Sequence, residues 1–140
     1  MPQPIPYLSF DGNCAEAMAF YADALGGRLE SLVRGGDSPL AEHFKDNPTL
    51  VLHACVSLPG GGTLFGGDAA CGGAPYAGIK GVTLTLNYDT VAEAERAFAA
   101  LSVGGSVTMP LQPTFWAKVW AMFVDRYGTP WIVNGEPQQI

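Results

Sequence analysis

Asn13-Cys14-Ala15-Glu16-Ala17-Met18-Ala19-Phe20-Tyr21-Ala22-Asp23-Ala24-Leu25-Gly26-Gly27 decides the fold, because the chain carries a second version of it. The stretch reads as a helix. Asn13 can cap the first turn through its side-chain oxygen, and Glu16, three positions later, can reach back to the free amide of the cap. Cys14, Ala17, Met18, Tyr21 and Leu25 share one face at helical spacing, and Gly26-Gly27 permit a left-handed exit. The second version opens at Thr90. Thr90 and Glu93 repeat the cap, Val91, Ala94, Phe98 and Leu101 repeat the apolar stripe, and Gly104-Gly105 follow. Asn13 to Thr90, Glu16 to Glu93 and Tyr21 to Phe98 are each separated by 77 positions. A cap, a capping acid, an Ala-Glu-Ala core and an aromatic at one offset indicate two copies of one module.

The flanking segments complete each copy. Ile5–Phe10 reads as a short strand with Pro4 and Pro6 at its opening, Arg28–Arg34 as a second strand, and Gly35–Pro48 as a polar loop. Leu50–Leu58 alternates, with Leu50, Leu52, Ala54, Val56 and Leu58 on one face and Val51, His53, Cys55 and Ser57 on the other. Pro59–Gly62 turns the chain, Thr63–Phe65 returns as a strand, and Gly66, Gly67 and Asp68 end it. Residues 1–68 thus form a first βαβββ module, and the glycine-rich segment 69–80 a linker. Residues 81–136 form the second module, with strands at Gly81–Asn87, Ser106–Leu111, Ala117–Val124 and Trp131–Asn134, and a turn at Asp125-Arg126-Tyr127-Gly128. The expected fold class is α+β.

The composition narrows the partners. Thirteen acids against seven bases give a net charge of −6, which offers no footprint for a phosphate backbone or an anionic membrane surface. No nucleic-acid and no membrane partner is expected. Met1–Pro6 lack the basic start and apolar run of a secretory signal, and no stretch approaches the roughly 20 apolar residues of a membrane span, so the expected location is cytoplasmic. Cys14, Cys55 and Cys71 have no CxxC spacing and read as reduced core thiols. With 48% hydrophobic and 14% charged residues, much apolar surface needs cover, which a homodimer interface would supply.

Tyr7-Leu8-Ser9-Phe10 with Gly12-Asn13 and Phe20-Tyr21, the segment Thr114-Phe115-Trp116-Ala117, and Asp125-Arg126-Tyr127-Gly128 with Pro130-Trp131 and Asn134 resemble the PhnB-like branch of the vicinal oxygen chelate superfamily. That superfamily contains glyoxalase I, bleomycin-resistance proteins and extradiol dioxygenases. The resemblance implies one domain over residues 1–140, in which the two modules form an open curved barrel with the helices outside and a ligand on the concave side. In the metal-dependent members, His, Gln or Glu side chains point inward from the first and last strand of each module. The metal there acts as a Lewis acid on vicinal oxygens of the substrate.

This chain offers a poor set of ligands at those positions. The first module presents Tyr7 and Ser9, then Leu64 and Phe65 with Asp68 beyond; the second presents Thr83 and Thr85, then Trp131 to Asn134. A catalytic zinc site takes about three His, Glu, Asp or Cys ligands, so no metal and no cofactor is expected. His43 and His53 are the two histidines. His53 either lines the cavity as a hydrogen-bonding or acid–base group or is a core histidine bonded to a backbone carbonyl. Asp68 either orients a ligand at the rim or caps the turn after Gly67. Asn134 offers donor and acceptor to a ligand or to a buried backbone group. Trp116 and Trp120 share a face with Lys118 between them, opposite Phe115, Val119 and Phe123, and line either a ligand cavity or a core or subunit interface. Tyr7, His53, Asp68, Trp116, Trp120 and Asn134 are therefore the ligand-pocket candidates.

The leading functional expectation is a protein that binds a small, partly apolar molecule without a metal. A metal-dependent lyase, isomerase or dioxygenase is the alternative. The demethylubiquinone methyltransferase label carried by some PhnB-like proteins fits poorly: no glycine-rich turn follows an early strand to receive a nucleoside cofactor, and Gly60-Gly61-Gly62 joins two strands instead.

Overall fold

A computed structural model describes residues 3–69 and 76–138, and the chain divides into two compact units, Met1–Gly78 and Ile79–Ile140. The first contains β1 (Tyr7–Phe10), α1 (Cys14–Leu25), β2 (Arg28–Arg34), β3 (Val51–Ser57) and β4 (Thr63–Asp68). The second contains β5 (Leu84–Tyr88), α2 (Val91–Leu101), β6 (Ser106–Gln112), β7 (Ala117–Val124) and β8 (Pro130–Pro137). The sheets have matching orders, β1-β4-β3-β2 and β5-β8-β7-β6. In each, the first strand runs parallel to the last and the other pairs are antiparallel. Two open mixed sheets, each with one helix, are the expected α+β pair of βαβββ modules.

Each helix covers one face of its own sheet. Cys14, Ala17, Met18, Tyr21 and Ala22 of α1 are buried together with Leu8, Phe10, Ala54, Val56 and Leu64, and α1 packs on β2, β3 and β4. Gly66 lets the helix approach: a Cβ there would stand 3.1 Å from Met18 Sδ and 3.4 Å from Cys14 Sγ. In the second unit Ala94, Ala97 and Leu101 of α2 are buried with Phe123, Trp131 and Val133. Gly135 meets Ala94 so closely that an added Cβ would lie 2.6 Å from its methyl carbon.

The two helices begin by different chemistry. Thr90 Oγ1 accepts from the Glu93 amide at 3.2 Å, the first half of the capping pattern, and donates to the Glu93 carboxylate at 2.8 Å, so that carboxylate meets the Thr90 hydroxyl rather than the Thr90 amide. Asn13 makes no side-chain cap bond, which corrects the reading of Asn13 and Glu16 as a capping pair. Its place is taken from 54 residues away: Asp68 Oδ1 accepts from the Cys14 amide at 3.0 Å and Oδ2 from the Val51 amide at 2.7 Å. A buried carboxylate at the helix N-terminus satisfies one of its free donors and meets the positive end of its dipole. At the other end Gly26, with φ of 68°, donates to the carbonyls of Ala22 and Asp23 as a left-handed cap.

Other expectations also shift. Gly66, Gly67 and Asp68 belong to β4 rather than ending it. β1 opens at Tyr7, β5 at Leu84, and β8 runs on to Pro137. Val51 is buried with Ala54 and Val56, not on the His53 face. The pairing of Val33 with His53 and Arg34 with Val51 leaves Leu52 as an extra residue, and such a bulge reverses the facing beyond it. The loop after β2 holds two short 3-10 turns, Gly35–Asp37 and Ala41–Phe44. Residues 70–75 of the expected linker, including Cys71, lie outside the described residues. Cys14 is buried and Cys55 half-buried.

Asp125 organises the β7–β8 turn. Its Oδ1 accepts from the amides of Tyr127 (2.8 Å) and Thr129 (3.1 Å), and its Oδ2 accepts from Trp131 Nε1 at 2.7 Å. Trp131 is thereby fixed on the helix side of β8 with its indole satisfied.

Candidate functional site

The faces turned away from the helices carry the polar and aromatic side chains that the core does not absorb. In the second unit this face takes Asn87 from β5 and Asn134 from β8, which stand opposite each other in the parallel pairing. Asn134 lies between Val133 and Gly135, both buried against α2, so alternation sends its side chain the other way. Trp116 Nε1 donates to Asn134 Oδ1 at 3.0 Å, and Asn134 Nδ2 donates to Asn87 Oδ1 at 3.0 Å. This chain of neutral groups ends on Asn87 Nδ2, for which the described residues supply no acceptor. Trp120, which pairs with Asn134 across β7 and β8, braces Trp116 edge-on with ring centroids 5.7 Å apart.

Beside these residues opens a cleft of about 150 Å3 lined by Asn87, Tyr88, Asp89, Trp116, Ala117, Asn134 and Pro137. Burial, and secondarily the Glu93 carboxylate, raises the Tyr88 phenol above its ordinary value, so it stays a neutral hydroxyl through the neutral range. Glu136 points along the same face and is neutralised by Lys118 at 2.6 Å.

The corresponding face of the first unit carries an aromatic cluster instead, with Tyr7 51% exposed. Tyr7, His53 and Phe65 form an aromatic cluster, with His53 and Phe65 4.8 Å apart and Tyr7 and His53 5.9 Å apart between centroids. The Tyr7 hydroxyl donates to the Leu52 carbonyl at 2.8 Å and lies over Gly67, where a Cβ would come within 2.6 Å of it. The histidine does not reach a backbone carbonyl; Tyr7 does. Asp68 is on the opposite, helix-facing side and joins neither cluster. A further depression of about 160 Å3 lies on the polar loop, beside His43, Phe44, Asp46, Asn47 and Leu50.

Of the six candidates, the structure therefore brings together Trp116, Trp120 and Asn134 in one place and Tyr7 and His53 in another. Phe115, expected opposite the tryptophans on a core face, is 70% exposed and packs edge-on against Trp116. It precedes the strand, so strand alternation does not bind it, and Ala117, Ala121 and Phe123 supply the buried face of β7. Asn87, Tyr88 and Asp89 were missed from the sequence. The signal for Asn87 was present: it is the polar residue on the same face as Thr85, at the end of a strand that must pair with the one carrying Asn134.

Among the described residues no three His, Cys, Asp or Glu side chains converge. Asn134 is engaged by both Trp116 and Asn87, and Glu136 is tied to a lysine.

The fold and these strand-end positions define a class. The chain belongs to the Glyoxalase/Bleomycin resistance protein/Dioxygenase superfamily, whose family model matches residues 5–133. Among individual relatives, it is 34% identical to Protein YjdN of Escherichia coli K12 over 143 residues, covering 96% of this chain and 95% of that protein. The crystal structure of PA1353 from Pseudomonas aeruginosa shares 46% identity at a TM-score of 0.87, covering 96% of this chain and 97% of that one. The PhnB protein of Bacillus cereus matches at a TM-score of 0.76 with 22% identity, over 95% and 98% of the two chains. That last likeness is one of fold, and it accompanies the PhnB-like pattern read from the sequence. No described helix is long and apolar enough to cross a membrane.

Proposed function

We propose that this protein binds a small molecule in the cleft of its second unit, without a catalytic metal. The observation that carries this reading is the Trp116–Asn134–Asn87 hydrogen-bond chain. It is anchored on two paired strands, β5 and β8, and on Trp116 just ahead of β7, is walled by that indole, and ends in an amide nitrogen with no acceptor among the described residues. Convergent polar groups in an otherwise apolar cleft fix the orientation of a ligand, and strands hold them more rigidly than loops do. The methyltransferase in the name given to the Bacillus cereus neighbour gains no support from this site.

A screen of one-ring fragments by thermal shift, followed by tryptophan fluorescence, tests the reading. Binders should raise the melting temperature of the wild type and lose most of that effect in Asn134→Ala. Fragments that stabilise both proteins equally would place the site elsewhere. Elemental mass spectrometry of protein purified without chelators or an affinity tag checks the metal: about one divalent ion per chain would overturn the metal-free part.

We also infer a homodimer. Val107 and Met109, 45% and 38% exposed, lie on the edge strand β6, a place where a second copy would remove apolar surface from water. Sedimentation of the wild type against Val107→Lys should show dissociation; an unchanged monomer would contradict it.

A further inference from the structure

The cleft lining contains no Lys, Arg or His, and its one charged member is Asp89, whose carboxylate has no ion-pair partner among the described residues. The cation on the same sheet face, Lys118, is already held by Glu136 at 2.6 Å. The whole chain carries a net charge of −6. An anionic ligand would enter against this field with no positive group to receive it. The polar groups at the cleft that no described residue engages are the N–H of Asn87 Nδ2 and the Asp89 carboxylate, both on exposed residues, so a ligand there replaces water on one donor and one acceptor. A molecule with a carbonyl beside an N–H answers both. The remaining lining is the Trp116 indole, the Tyr88 ring, Ala117 and Pro137, suited to a flat ring, and a cavity of about 150 Å3 admits a single six-membered ring.

Resting on the binding reading above, we infer that the cleft selects a non-anionic ring carrying an amide or lactam, neutral or cationic, and rejects carboxylates, phosphates and phosphonates. The ligand carbonyl accepts from Asn87 Nδ2, and the ligand N–H donates to Asp89. The ring lies against Trp116.

Three probes of nearly one shape separate charge from shape: nicotinamide (neutral), N1-methylnicotinamide (cation) and nicotinate (anion). Each is titrated into the full-length 15N-labelled protein at pH 7 while the Trp116 indole resonance is followed. Nicotinamide and its methylated cation should shift that resonance, with nicotinate weaker by about fivefold, as expected for one like charge nearby at an exposed carboxylate. Asp89→Asn should close most of that gap. If nicotinate shifts Trp116 as strongly as the amide, the charge selection is wrong while the cleft stands as a binding site. If none of the three moves Trp116, the amide class is wrong, and the one-ring screen judges the site separately.

Discussion

The first and second units share strand order, pairing sense and helix placement, yet they solve the same two local problems in opposite ways. At the last residue of the first strand, Phe10 pairs with Asp68 while Tyr88 pairs with Gly135. Asp68 caps α1 from the sheet; Gly135 only makes room for α2, because Thr90 caps that helix itself. One position earlier, Ser9 pairs with Gly67 and Asn87 with Asn134. Gly67 lies under the Tyr7 hydroxyl, whereas Asn134 stands at the edge of an open cleft. A duplicated scaffold thus fixes where side chains are presented, and single residues decide whether a position holds the fold together or faces a ligand.

The sharpest way to break this comparison is to remove the cap from the first unit. Asp68→Ala strips a charged acceptor from two amides, those of Cys14 and Val51, and should destabilise the protein by about 3–5 kcal/mol in urea unfolding. Asn13→Ala should cost less than about 0.5 kcal/mol, since Asn13 makes no cap bond. Equal losses at the two sites would mean that Asn13, not Asp68, starts the helix. Next in size is Gly67→Ala, whose new methyl would meet Tyr7 Oη at 2.6 Å and the Leu52 carbonyl at 2.9 Å. Overpacking of this kind costs about 1–3 kcal/mol, and a neutral result would show that Tyr7 does not pack over Gly67 as described.

Thr90→Ala should cost about 1 kcal/mol, the ordinary value of a helix cap. Its effect must stay well below that of Asp68→Ala if the two caps differ as described. The smallest effect concerns pH. Burial, and secondarily Glu93, raises the Tyr88 phenol above its ordinary value of about 10. A group with a raised folded pKa contributes stability that is complete below the unfolded value and lost as pH climbs through the folded one. Stability should therefore be insensitive to Tyr88 from pH 6 to about 9 and decline above about 10. Tyr88→Phe should flatten that alkaline decline, and an unchanged decline would assign it to another group.

The fold was legible because its evidence is local and repeated: caps, stripes and glycine exits at one offset, and strands that alternate. What was not legible came from contacts between distant residues. Asn13 looks like a cap because the four preferred cap residues look alike in sequence, and nothing near it reveals that Asp68 arrives from β4. The bulge at Leu52 similarly depends on how β2 pairs with β3. Asn134, Trp116 and Trp120 stand out in the sequence as a polar residue in the last strand and two tryptophans that share a face. Asn87 was passed over because its significance lies in the partner opposite, which only the parallel β5–β8 register supplies.

The placement of the site in the second unit is the central claim, and the indole resonances of the three tryptophans test it most directly. Trp116 donates to Asn134 at the cleft, whereas Trp131 donates to Asp125 on the helix side, so the protein contains its own control. Titrated with the one-ring fragments that stabilise it, the 15N-labelled protein should show the Trp116 indole and the Asn87 and Asn134 amides shifting together while Trp131 stays still. Shifts centred on Tyr7, His53 and Phe65, with Trp116 unmoved at saturation, would contradict the account.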